Sequence, residues 1–100
     1  MSGAVKVLLY HRTGDVGGIE AAYHRVSREL AGVPGMLGNE LLRSRHDPAS
    51  FVVISTWEST AAFDEWEQGT EHKNTTAPLR PYRDGELARP FGIYEVTARY

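Results

Sequence analysis

Cysteine is absent from this chain. That excludes a disulfide framework, a thiolate nucleophile and a Cys-ligated zinc. Long apolar runs are missing as well. None approaches the ~18 residues of a membrane helix, and Met1 to Tyr10 is too short and too weakly basic for a signal peptide. A soluble cytoplasmic protein is the expectation. Charge of one sign is scarce: 11 basic against 13 acidic side chains leave a net −2. No electrostatic footprint for nucleic acid or for an anionic membrane results. Gly14, Gly17 and Gly18 do not make a phosphate-binding G-x-G-x-x-G, and no nucleophile elbow is present. The four histidines, His11, His24, His46 and His72, lack metal-ligand spacing. Neither cofactor nor metal is expected.

What is present fits one domain. With 100 residues there is room for a single core, and a chain of this size gains from dimerisation. Ala4 to Tyr10 (AVKVLLY) reads as a buried strand. Ile19, Ala22, Tyr23, Val26 and Leu30 then form one helical apolar stripe, with Gly32 and Pro34 ending it. Asn39 to Arg45 reads as a second strand with one wetter face. His46 to Ser50 carries hairpin-turn chemistry, and Phe51 to Trp57 (FVVISTW) is a β-branched strand. Ser59 or Thr60 caps a second helix ending at Gly69. Thr70 to Pro90 is proline-punctuated and irregular, and Phe91 to Tyr100 returns as a strand. The order strand, helix, strand, strand, helix, strand describes a ferredoxin-like α+β fold. It has one antiparallel sheet, with both helices on one face. The bare sheet face, carrying Val, Ile and Tyr, predicts a homodimer.

Both tryptophans fall within Trp57 to Trp66, and His72 follows six residues later. Two such side chains bracketing a short segment mark a core or a pocket wall. The Pro34-Gly35-Met36-Leu37-Gly38 approach to the second strand, the strand-ending Trp57 and the pattern Trp57-x-Ser59-x-x-Ala62-Phe63-x-x-Trp66 resemble the antibiotic biosynthesis monooxygenase superfamily of dimeric α+β barrels. The resemblance covers the element order of the whole chain. It implies a cofactor-free oxygenase converting an aromatic polyketide-type phenol or anthrone to a quinone, with the substrate and dioxygen as partners. Family members of that type place a helix tryptophan, a following tyrosine or histidine, an asparagine and an arginine around a pocket between helices and sheet. Trp66, His72 and Arg80 or Arg83 are similar in type and order. Ala62 stands one turn before Trp66, so the expected asparagine is missing.

The resemblance points to Trp66, His72 and an arginine. Read on their own chemistry, His72 is the candidate base, and Phe63 shares the apolar face of Trp66 as aromatic wall. Arg83 and Tyr82 on the proline-punctuated loop are candidate oxyanion donors, and Tyr23 on the helical stripe is a polar contact. Trp57 is read as structural or as pocket wall. His11 is read either as a second polar group of the cavity or as a loop-edge residue. His24 falls off the helical stripe and should be exposed. Three other readings stay open: a cyclase or isomerase working without dioxygen, a non-catalytic ligand-binding dimer, and haem degradation. The last is disfavoured by His11 or Tyr10 standing where a haem-degrading member has asparagine.

Overall fold

The computed structural model describes residues 3–69 and 72–100, the side chains of His72 and Lys73 excepted. The elements are β1 (Val5–Arg12), α1 (Val16–Leu30), β2 (Met36–Arg43), β3 (Ser50–Trp57), α2 (Thr60–Gln68), α3 (His72–Thr76), a 3₁₀ segment (Ala77–Tyr82) and β4 (Phe91–Glu95). The strands form one sheet in the order β2-β3-β1-β4, every pair antiparallel. This is the ferredoxin-like arrangement.

Local chemistry accounts for the element ends. Asp15 caps α1 by accepting the Gly18 amide at 2.9 Å, and Gly32 follows the helix with φ +87°. Ser59 caps α2 by accepting from the Ala62 amide at 3.1 Å. Each cap satisfies an amide that the first helical turn leaves without a partner. The β2–β3 hairpin closes through Ser44 N–H to the Ser50 carbonyl at 2.9 Å, and Asp47 accepts from the Ala49 amide at 3.1 Å.

Strand alternation sorts the side chains onto two faces. Val5, Val7 and His11 of β1 and Phe51, Val53 and Trp57 of β3 are buried toward the helices. Lys6, Leu8, Val52 and Ile54 occupy the opposite face and are only half-buried. Two clusters make the core beneath the helices. One joins Ile19, Val26 and Leu30 of α1 to Phe51, Val53 and Leu79. The other joins Val5 and Val7 to Trp57 and Phe63, and Trp66 packs against both.

Three expectations about boundaries are corrected. The second strand runs from Met36 to Arg43 rather than from Asn39 to Arg45, because the chain enters it through a bulge at Leu37. The last strand stops at Glu95 instead of Tyr100, pairing only with Val5 to Leu9. The stretch read as irregular holds α3 and the 3₁₀ segment over 72–82.

Candidate active site

Between the sheet and the helices lies a cavity of about 250 Å³, near the lower end of small-molecule sites. Its floor is the helix-facing side of the sheet: Val7, Leu9 and His11 of β1, Val53, Ser55 and Trp57 of β3, Asn39 of β2, and Phe91 and Ile93 of β4. Its roof comes from Tyr23, Val26, Ser27 and Leu30 of α1, from Phe63, Trp66 and Glu67 of α2, and from Thr76, Leu79, Arg80 and Arg83. Apolar and aromatic side chains dominate the lining, and polar groups converge at few points.

The aromatic end is built around Trp57, only 1% exposed. Phe63 meets it edge-on with ring centroids 5.5 Å apart, and Trp66 lies tilted at 5.3 Å. These are favourable offset and edge geometries for π systems. The Trp57 indole N–H donates to Ser55 Oγ at 3.0 Å, so the ring is oriented as well as packed. Ala62, one turn before Trp66, does not line the cavity. Its methyl lies against Gly35, where φ is +82° and a Cβ would collide with it. Small residues at both positions let the β2 entry turn close onto α2.

A middle polar group is Asn39. Its Oδ1 accepts from Ser27 Oγ at 2.9 Å, and its carbonyl accepts from the Tyr23 hydroxyl at 3.2 Å. Through the register Asn39↔Ser55↔Val7 it stands in one row across the sheet. No asparagine was expected there, and the sequence offers no signal for it beyond its place on a half-wet strand.

The polar end is His11. Because β4 begins opposite Leu9, the last residues of β1 are met instead by the segment 83–90. The Tyr10 amide donates to the Pro90 carbonyl at 2.8 Å, the Asp84 amide donates to the Tyr10 carbonyl at 3.0 Å, and His11 bridges to Arg83. His11 is therefore flanked by Phe51 and by Arg83 and is only 4% exposed. Its Nδ1–H donates to the Leu9 carbonyl at 3.0 Å. Burial pushes its pKa below the ordinary 6.5. The Leu9 hydrogen bond opposes that shift, the Arg83 charge adds to it and the Asp84 charge opposes it. Outside the cavity, Arg12 pairs with Glu86 of the same segment at 3.1 Å and with Asp47 of the β2–β3 turn at 2.7 Å.

The family model for antibiotic biosynthesis monooxygenase matches residues 5–77. The chain belongs to this family. Among curated proteins it is similar to protein SchA of Streptomyces halstedii, 32% identical over 94 residues. It is also similar to a 42.8 kDa protein of the whiE locus of Streptomyces coelicolor, 38% identical over 58 residues. The matches cover 94% and 58% of this chain but only 25% and 15% of those longer relatives. Among solved structures, SnoaB of Streptomyces nogalater, described as a cofactor-independent oxygenase, superposes with a TM-score of 0.75 at 22% identity, over 100% of this chain and 96% of that one. A conserved protein of Methanosarcina mazei also superposes at 0.75 with 15% identity, over 93% and 92%. At these identities the structural likeness speaks to fold.

Against this antibiotic biosynthesis monooxygenase fold the expected site residues divide. Tyr23, Trp57, Phe63, Trp66, Arg83 and His11 all line this cavity. The loop-edge reading of His11 is overturned, since the 83–90 segment buries it in the sheet. Tyr82 is not among the lining residues; it packs against the α1 core cluster, with its hydroxyl beside Gly18. His24 is exposed, as expected. The His72 side chain lies outside the described residues. Among the described residues no three His, Asp or Glu side chains gather into a metal-holding group, and no helix is long and apolar enough to cross a membrane.

Proposed function

We propose that this protein is a cofactor-independent monooxygenase that converts an anthrone or phenol of the aromatic polyketide type to the corresponding quinone. The observation that carries the reading is the aromatic cavity, in which Trp57, Phe63 and Trp66 form one wall and a buried histidine and an arginine stand at the other end. The family, the similarity to SchA and to a protein of the whiE locus, and the oxygenase description of SnoaB support it.

The chemistry asks for little beyond this lining. A doubly activated methylene loses a proton to a base, and the resulting electron-rich anion reduces dioxygen and captures it as a hydroperoxide. Loss of water then leaves a carbonyl. One oxygen atom enters the product and the other leaves as water with both methylene hydrogens, so no external reductant is consumed. The predominantly apolar lining limits protonation of the anion by solvent. Arg83 stabilises the developing oxyanion through its guanidinium donors. Trp66 and Phe63 hold the fused rings by stacking. The functional unit is a homodimer in which a second copy covers the half-exposed Leu8, Val52 and Ile54 face of the sheet.

The test is aerobic and anaerobic incubation with 1,8-dihydroxyanthrone. Quinone forming only with dioxygen, and carrying one atom of ¹⁸O from ¹⁸O₂, is the expected result. A product formed equally well without dioxygen would instead identify a cyclase or isomerase. Sedimentation velocity checks the dimer, which a monomer at micromolar concentration would refute.

A further inference from the structure

His11 is a buried histidine whose placement in a strand facing an aromatic cavity calls for explanation. A carbonyl can only accept, so the ring nitrogen bonded to the Leu9 carbonyl is Nδ1–H. In the neutral ring this leaves Nε2 as a bare lone pair. No buried side-chain nitrogen or oxygen among the described residues lacks a partner, and Nε2 makes no hydrogen bond to any of them. Nε2 therefore meets open space, and the space His11 borders is the cavity.

We propose that His11 is the catalytic base of this site, its Nε2 taking the proton from an acidic methylene or phenol of a bound anthrone-type substrate. The inference rests on the reading of the cavity as an anthrone or phenol site, and it names the proton acceptor there. In the step, the C–H or O–H bond breaks heterolytically and its electron pair stays on the substrate as an enolate or phenolate. The proton completes a doubly protonated imidazolium, and no electron changes hands. The Leu9 carbonyl holds the ring in the tautomer and orientation that aim Nε2 inward, a positioning that fixed second partners commonly give catalytic histidines. The anion forms beside both the new imidazolium and Arg83, which borders the same end of the cavity. The imidazolium in turn has Asp84, a buried carboxylate residue, close enough to act on its charge. Burial keeps the resting ring neutral and ready to accept.

The experiment separates this step from oxygen chemistry by leaving oxygen out. Anaerobic 1,8-dihydroxyanthrone is added to the native protein and to His11→Gln and His72→Gln, and the absorption band of the bound anion is recorded. Native protein is expected to show the anion band at a pH where the free compound is neutral. His11→Gln should bind the compound, read by quenching of Trp57 and Trp66 fluorescence, while the anion band is lost. On admitting dioxygen its turnover should fall about 10²–10⁴-fold, the usual share of general-base catalysis. Should the variant fail to fold, ¹⁵N-histidine NMR of the native protein gives the same answer: His11 Nε2 must pass from unprotonated to protonated as the compound binds. An anion band absent from native protein, retained in His11→Gln or lost only in His72→Gln overturns the proposal, as does a His11 Nε2 that stays unprotonated. An anion that needs His11 but is not consumed by dioxygen leaves the base in place and refutes the oxygenase reading instead.

Discussion

The two ends of the cavity are made by different means. At one end Trp57, Phe63 and Trp66 come from a single stretch of chain, joined by the Ser59 cap and packed ring against ring. At the other end His11 and Arg83 come from segments far apart in the chain, held by backbone hydrogen bonds between β1 and the 83–90 segment. Trp57 pairs with Val5 and His11 stands six residues along the same strand, so the two ends are roughly 20 Å apart along the sheet. The contrast shows a division of labour. Hydrophobic burial at the aromatic end stabilises the fold and gives the cavity an aromatic wall. The polar end, with buried Phe51 beside it, holds a desolvated imidazole at the cavity.

Substitutions that strike one end and spare the other test this division. The largest effect should follow Trp57→Ala, which removes a fully buried indole from the second core cluster. A loss of about 3–5 kcal/mol is expected, read as a lower urea midpoint at unchanged m-value. A cost below about 1.5 kcal/mol, the range of volume-conserving core swaps, would mean that the aromatic end is not structural. Next is Gly35→Ala, where φ is +82° and the new Cβ meets Ala62. Backbone strain alone should cost about 1–3 kcal/mol. Adding Ala62→Gly should recover the steric part and leave the strain, giving measurable coupling in a double-mutant cycle. Smaller still is Ser59→Ala, expected to cost about 1 kcal/mol by freeing the Ala62 amide, seen as a modest drop in Tm with quinone formation intact.

The polar end should announce itself through pH. His11 binds its proton less readily folded than unfolded, chiefly because burial desolvates the ring. The folded state therefore holds fewer protons than the unfolded chain below the ordinary value of 6.5. Stability is full above that pH and declines as pH falls through it toward the lower folded value. Thermal midpoints measured from pH 7.5 to 5 should fall, and His11→Gln should flatten that slope while Trp57→Phe should leave it unchanged. Equal slopes in native protein and His11→Gln would contradict the desolvated histidine.

How much of this was legible in sequence differs between the ends for a physical reason. The aromatic end is local. Trp57, Phe63 and Trp66 lie within ten residues, and strand alternation followed by helical spacing puts them on one side of the chain. The Asp15 and Ser59 side chains complete their own helix starts within three residues. The asparagine missing at Ala62 was also legible, but not its meaning, because the contact that requires a small residue there is with Gly35, far away in sequence.

What the sequence by itself determined, then, is the order of strands and helices, the single core and the aromatic wall, since each follows from periodicity and from side chains close along the chain. Tertiary structure alone decided the polar end. β4 is too short to reach the end of β1, and the 83–90 segment fills the gap through Tyr10 and His11. That pairing joins residues more than 70 positions apart, which no local pattern encodes. It turns a histidine at the edge of a strand into a buried imidazole facing an aromatic cavity.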